Sequence, residues 1–180
     1  MELIEAIKGR RSIRQFMDKP VPHQVMEEIV DIAAFAPSWK NTQTTRYIAI
    51  EDKAITDKIA DECVLGFSYN TKTIKNAAAL VVVTVVNGRS GYEKDGTPTT
   101  SKEDRWENFD AGIASQTFCL AAHEKGLGTV IMGIFDEAKV ADIVGIPEGQ
   151  QIAAFIAIGY PVTTPEAPKR KTSSELLTFK

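Results

Sequence analysis

Ala111-Gly112-Ile113-Ala114-Ser115-Gln116-Thr117-Phe118-Cys119-Leu120-Ala121-Ala122 forms the middle of the longest helical stretch in this 180-residue chain, and it has almost no polar face. The helical pattern runs from about Asp104 to Lys125. A helix that is apolar nearly all round is buried. The small residues Ala111, Gly112, Ala114 and Ser115 let another helix approach closely. In a chain of this length such burial is most readily reached against a second copy of the subunit, so the stretch predicts a fold organised around one helix and a homodimer.

Working outward, Gly126-Leu127-Gly128 ends this helix and leads into a strand, Thr129 to Met132. Asp136 is placed to N-cap a further helix through Val144, and Ile152 to Gly159 reads as a buried strand. On the other side, Ala79 to Val86 is a valine-rich run with the character of a central strand covered on both faces. Arg46 to Glu51 is another strand, followed by an amphipathic helix carrying Ile55, Ile59 and Cys63. Pro22 opens a helix with Val25, Met26, Ile29, Ile32, Ala33 and Ala36 at helical spacing, ending at Pro37-Ser38. The polar stretch Asn87 to Glu103 is long enough to serve as a lid or binding segment. From Tyr160 three prolines predict an extended tail, yet it finishes in Leu176-Leu177-Thr178-Phe179. Residues 1–180 form a single domain whose 160–180 tail is expected to pack on a partner subunit.

With 24 acidic and 21 basic residues the net charge is −3, which predicts no broad cationic surface for nucleic acid. The start, Met1-Glu2-Leu3-Ile4-Glu5, carries acids where a leader would carry cations. The longest apolar run, Ala77 to Val86 broken only by Thr84, is far short of a bilayer span. No membrane partner is expected, and the location expected is cytoplasmic. Cys63 and Cys119 lack ligand spacing and read as buried free thiols. His23 and His123 have no evident partner, so no metal site is expected.

Arg10-Arg11-Ser12-Ile13-Arg14 sets three guanidinium groups and a hydroxyl within five residues. Guanidinium forks match phosphate oxygens two at a time; cations at the end of a helix also complement its dipole, and the segment by itself leaves both readings open. Pro37-Ser38-Trp39-Lys40-Asn41-Thr42-Gln43 gathers hydrogen-bonding side chains in a loop between helix and strand, where binding groups concentrate. The glycines at 126, 128 and 133 run helix, turn, strand, the reverse of a dinucleotide-binding loop. Gly133, closing a strand, would let main-chain N–H groups approach a flat ligand. No nucleophile–base pair, zinc motif or phosphate loop is present, so catalytic side chains are not expected and a cofactor would carry the chemistry.

Taken together, Arg10 to Arg14, Pro37-Ser38 with Asn41 and Gln43, Asp110-Ala111-Gly112, Gly126-Leu127-Gly128 with Gly133, and Arg170-Lys171 with Glu175 resemble, in order and spacing along essentially the whole chain, the FMN-dependent nitroreductase family. The resemblance implies an α+β fold with a mostly antiparallel sheet wrapped by helices. It further implies an interlocked homodimer with exchanged C-terminal tails and FMN at the interface. By position, Arg10, Ser12 and Arg170 would hold the FMN phosphate, with the backbone around Arg11 and one of Lys169 and Lys171 assisting. Arg14 would lie by the pyrimidine edge of the flavin, where a positive charge favours its anionic reduced form, with Asn70 on the same edge. Pro37, Ser38 and Asn41 would meet FMN from the opposite subunit. The backbone of Val130, Ile131, Met132 and Gly133 would run along the ring.

The activity implied is that of an NAD(P)H-dependent oxidoreductase. NADH or NADPH reduces FMN, and a small electron-poor acceptor, a nitroaromatic or quinone, is then reduced at the same place in ping-pong fashion. The alternatives are a specialised flavoenzyme of the same fold, working by dehalogenation, dehydrogenation or flavin fragmentation, and a flavin-binding protein without turnover. One departure from many relatives is Gln43-Thr44-Thr45 in place of Gln-Pro-Trp, so that Trp39 either substitutes for that aromatic or projects over the flavin.

Overall fold

A computed structural model describes residues 2–180. Helix α1 (Leu3–Gly9) and helix α2 (His23–Ala33) lead through a single 3-10 turn (Trp39–Asn41) into strand β1 (Thr45–Ile50). Helices α3 (Lys53–Glu62) and α4 (Ser68–Asn76) precede β2 (Ala79–Val86), and the long helix α5 (Arg105–Glu124) precedes β3 (Gly128–Met132). Helix α6 (Glu137–Val144), strand β4 (Gln150–Gly159) and a short helix α7 (Ser173–Leu176) complete the order. The strands form one antiparallel sheet in the order β1-β2-β4-β3. The architecture is the α+β fold, an antiparallel sheet wrapped by helices, that the family resemblance implies.

Strand β2 sits inside the sheet, and its alternation divides the core. Leu80 and Val82 face a cluster with Ile59, Cys63, Ile74, Val140 and Phe155, under α3, α4 and α6. Ala79, Val81 and Val83 face Ile29, Phe118, Cys119 and Ala122, under α2 and α5. Both cysteines are free and buried. Asp136 caps α6, its carboxylate accepting from the Lys139 amide at 3.2 Å.

Two local expectations need correction, at Ile32 and in the tail, and α5 and α4 add detail that the sequence reading lacked. α5 is buried on one stripe only: Asp110, Ala111, Ala114, Ser115 and Phe118 are covered, whereas Phe109, Gly112 and Gln116 are exposed. One chain supplies a sheet for one side of the helix and nothing for the other. Ile32 is exposed although its spacing placed it in the core, because α2 meets α5 and the sheet through Ile29 and Ala33. α4 had no periodic signal, since its nine residues (SYNTKTIKN) bury Asn70 and Thr73 beside Ile74. The tail is extended as expected up to Thr172, but α7 interrupts it, held by a reciprocal capping box between Thr172 and Glu175.

The N-terminal segment after α1 is laced along the open edge of β3. Ser12 bridges Thr129 in parallel, and the Ile13 amide donates to the Thr129 carbonyl at 2.9 Å. Further on, Phe16 bridges Pro161, Met17 N–H donates to Tyr160 O at 2.8 Å and Val162 N–H donates to Gln15 O at 3.1 Å. This lacing sets the position of the functional residues.

Candidate functional site

Because residues 12–14 run beside β3, the Arg14 side chain meets the end of that strand. A groove of about 450 Å³ is lined by Arg14, Phe67, Tyr69, Asn70 and the stretch 130–134. Strand alternation sends Val130 and Met132 into the core, so they border the groove mainly through their main chain. Ile131 is 44% exposed and Ile134 43% exposed, giving an apolar floor open on one side. A Cβ built on Gly133 would meet nothing within 4 Å. Asn70 is buried on α4, its amide donating to Ile134 O at 3.2 Å, which ties the helix to the strand end.

A second cavity, of about 250 Å³, is lined by Arg10, Arg11, His123, Gly126–Thr129 and Thr164 among others. Arg11 turns back on α1, donating to Lys8 O at 2.6 Å and Arg10 O at 2.8 Å. For that residue the helix-end reading holds. Arg10 and Arg14 have no carboxylate partner among the described residues. His123, which the sequence left without a role, stands at this cavity; burial and the nearby Arg10 hold its imidazole below the ordinary value. His23 does have a partner: its Nε2 lies 2.7 Å from Glu51 Oε2.

Gly126 ends α5 with φ +74, as the sequence predicts. Gly128 answers a different demand. A Cβ there would lie 2.6 Å from Ile13 Cγ1, so glycine is what lets residues 12–14 lie flat against β3.

The loop 37–43 stands elsewhere. Pro37 and Ser38 line a third cavity, of about 380 Å³, with Tyr47, Asp110 and Ala114, and Asn41 lines a fourth. Neither shares a residue with the Arg14 groove. The loop is strained: Lys40, Asn41 and Gln43 have φ of 44°, 55° and 49°, a region costly for residues other than glycine. What over-determines it is Asp110, buried in α5. Its carboxylate accepts from the Trp39 amide at 2.9 Å and from the Ser90 hydroxyl at 2.6 Å. Ser90 in turn meets the Thr42 hydroxyl at 2.9 Å and that of Thr44 at 3.3 Å. Trp39 packs on Trp106, ring centroids 5.0 Å apart.

The Nitroreductase family profile matches residues 7–73 and 68–160. This chain belongs to the nitroreductase family. A Methanothermobacter thermautotrophicus protein with the provisional name NADH dehydrogenase/NAD(P)H nitroreductase is 32% identical over 169 residues, 92% of this chain and 80% of that relative. The crystal structure of a nitroreductase family protein from Clostridium novyi NT matches with a TM-score of 0.78 at 26% identity, over 93% of this chain and 89% of that one. A third structure, from Exiguobacterium sibiricum, was solved in complex with FMN and provisionally described as a nitroreductase. It has the same fold, with a TM-score of 0.84 at 19% identity, over 100% of this chain and 98% of that one.

Within this nitroreductase-family fold, one chain brings Arg14, Asn70 and 130–133 together in one groove, while Arg10 lines a separate cavity and Ser12 pairs with Thr129 on β3. It does not bring Pro37, Ser38, Asn41 or Arg170 to the same groove. Arg170 lies in the exposed tail, along with Leu176, Leu177 and Phe179. Sequence reasoning missed Phe67, Tyr69 and Ile134, whose rings and branch wall the groove. Phe67 and Tyr69 stand in a helical region without a periodic pattern, and only their spacing from Asn70 could have drawn attention to them. No helix among the described residues is long and apolar enough to cross a membrane.

Proposed function

We propose that this nitroreductase-family chain is an FMN-dependent oxidoreductase that uses NADH or NADPH to reduce small electron-poor acceptors, nitroaromatics or quinones among them. The observation that carries the reading is the convergence of Arg14, Asn70 and the main chain of 130–133, from distant parts of the sequence, on one groove, with Arg10 lining a separate cavity against the preceding residues of β3. The residues fit FMN. An apolar, half-open floor at Ile131 and Ile134 suits a flat ring, and Gly133 leaves its backbone accessible to one. Two guanidinium groups without carboxylate partners suit a phosphate and an electron-rich ring edge.

Bound there, FMN supplies the two-electron chemistry that no side chain of the site offers. The protein supplies position and charge. Arg10 and Ser12, joined by Arg170 from the tail, hold the phosphate. Arg14 places a positive charge beside the pyrimidine edge, and Asn70 fixes that edge by hydrogen bonding. Phe67 and Tyr69 restrict access to flat molecules that enter in turn, donor first and acceptor second. Pro37, Ser38 and Asn41 serve the partner's site, in a homodimer that also covers the bare stripe of α5 and the apolar tail. Residues 1–180 act as a single domain, with 160–180 as the arm between subunits.

The test is an anaerobic absorbance spectrum of the purified protein before and after each nucleotide. Flavin bands that bleach with NADH or NADPH and return on adding a quinone are the expected result. Bound flavin that neither nucleotide bleaches would overturn the oxidoreductase reading. A colourless protein that takes up no added FMN would overturn the assignment of Arg10, Ser12 and Arg170.

A further inference from the structure

We infer that the cavity between the turn at Trp39–Asn41 and the loop 87–104 receives an anionic group, phosphate or carboxylate, of one of the two reactants. That a reactant comes there rests on the proposed function, because Asn41 belongs both to this cavity and to the loop assigned to the partner's flavin.

The cavity has a volume of about 580 Å³, and its charged lining consists of Lys40, Arg89, Glu93 and Lys94. Glu93 is already committed. Lys40 Nζ lies 2.9 Å from both of its oxygens, the Thr99 hydroxyl donates to it at 2.8 Å, and the Lys40 ammonium holds its carboxyl below the ordinary range. Asp95 is turned onto its own loop, accepting from the Thr97 amide and hydroxyl at 3.0 and 2.6 Å. Glu103, Asp104 and Glu107, at the root of the loop, do not line the cavity. Arg89 and Lys94 therefore remain as cations with no carboxylate partner among the described residues. Tyr92 and Asn41 add neutral polar groups at the same wall.

This wall is fixed in place, which separates it from an ordinary solvated patch. The Gly88 amide donates to buried Glu107 at 2.6 Å, Ser90 to buried Asp110 at 2.6 Å, and the Thr99 amide to Gly91 O at 2.8 Å. Gly91 has φ +89 and sits so close to Glu103 that a Cβ would fall 2.3 Å from its carbonyl oxygen. The loop that sequence pattern presents as an open polar segment is thus a closed, doubly anchored unit. A guanidinium fork and an ammonium on a fixed wall bind an oxyanion by charge-assisted hydrogen bonds, weakened by salt because the cavity is open to solvent.

The test is the double variant Arg89→Gln/Lys94→Gln, changed at two exposed loop positions that carry no core contact. The first readout does not need flavin. Both tryptophans of the chain, Trp39 and Trp106, stand at this loop, so their fluorescence is titrated with inorganic pyrophosphate. A saturable change in the natural protein that weakens about tenfold in the variant supports the cavity as an anion site; no saturable change, or an identical one in the variant, overturns it. The second readout identifies the reactant. A rise of about tenfold in the KM ratio of 4-nitrobenzoate to nitrobenzene assigns the anion to the acceptor. The same rise for NADPH relative to NADH assigns it to the 2′-phosphate of the donor, and an equal rise for both nucleotides to their pyrophosphate. Ratios and nucleotide KM values that all stay within twofold of the natural protein's overturn the inference while leaving the flavin reading intact. Loss of nucleotide-dependent bleaching in the natural protein is failure of the flavin reading instead.

Discussion

Replacing Asp110 by alanine tests the claim that one buried carboxylate holds the strained loop 37–43. Asp110 is 3% exposed and accepts two hydrogen bonds. Its removal strands the part-buried Trp39 amide, which has no other acceptor among the described residues, at about 1–3 kcal/mol for an unsatisfied donor. Ser90 loses its charged acceptor but keeps the Thr42 and Thr44 hydroxyls, so that bond contributes less, about 1 kcal/mol. The total is about 2–4 kcal/mol in stability, offset in part by relief at Lys40, Asn41 and Gln43 as the left-handed backbone relaxes. Urea unfolding followed by far-UV circular dichroism gives the stability. The wavelength of Trp39 emission in a Trp106→Phe background reports the loop separately. Asp110→Asn, which keeps an oxygen acceptor but not the charge, falls between the two. A stability loss below about 0.5 kcal/mol for alanine, with Trp39 emission unmoved, would refute the reasoning.

Three further outcomes follow from the geometry. Gly128→Ala forces a methyl group to 2.6 Å from Ile13, and overpacking of this kind costs about 1–3 kcal/mol; thermal unfolding should show the loss, and FMN affinity should fall with it because Ser12 and Arg14 flank Ile13. Gly133→Ala places its methyl in open groove space, so apo-protein stability should hold while FMN affinity, read by fluorescence titration, drops; a loss of stability without a loss of affinity would contradict the groove assignment. Burial pushes the Glu107 carboxyl above its ordinary 4.5, so the folded chain holds that proton more tightly than the unfolded one. This contribution favours folding below pH 4.5 and is lost as pH rises through the higher folded value. Relative to the natural protein, Glu107→Gln should therefore gain stability between pH 4.5 and 7, measured as urea midpoints at the two pH values; a constant difference would refute it.

The elements whose side chains face the sheet in a regular rhythm were legible. β2 was read to the residue, Asp136 was read as the cap of α6, and α5 was read as the longest helix, because burial imposes a period that composition records. What escaped was held by polar contacts or by the other end of the chain. α4 is fixed by Asn70 and Thr73, which leave no apolar period. The left-handed backbone at Lys40, Asn41 and Gln43 depends on Asp110, some seventy positions away in sequence, and no local propensity encodes it. Gly128 read as a helix stop, since its real constraint, Ile13, belongs to another element. The candidate groove was legible in Arg14, Asn70 and 130–133 only because the family resemblance aligned them; its aromatic wall was not.

The lacing of residues 12–17 against β3 and residues 160–162 also sets a clock. The last bonds of that seam, Met17 to Tyr160 and Val162 to Gln15, join segments far apart in the sequence. Until β3 and β4 leave the ribosome, Ile13 and Phe16 have no edge to lie on, and closing so long a loop carries an entropic cost that only the completed sheet offsets. The segment bearing Arg10 to Arg14 is thus translated before the strands it lies on and ordered only after them. A cofactor held there would become bound only once β3, β4 and residues 160–162 had been made and folded, so that its retention would distinguish molecules that have closed this seam from those that have not.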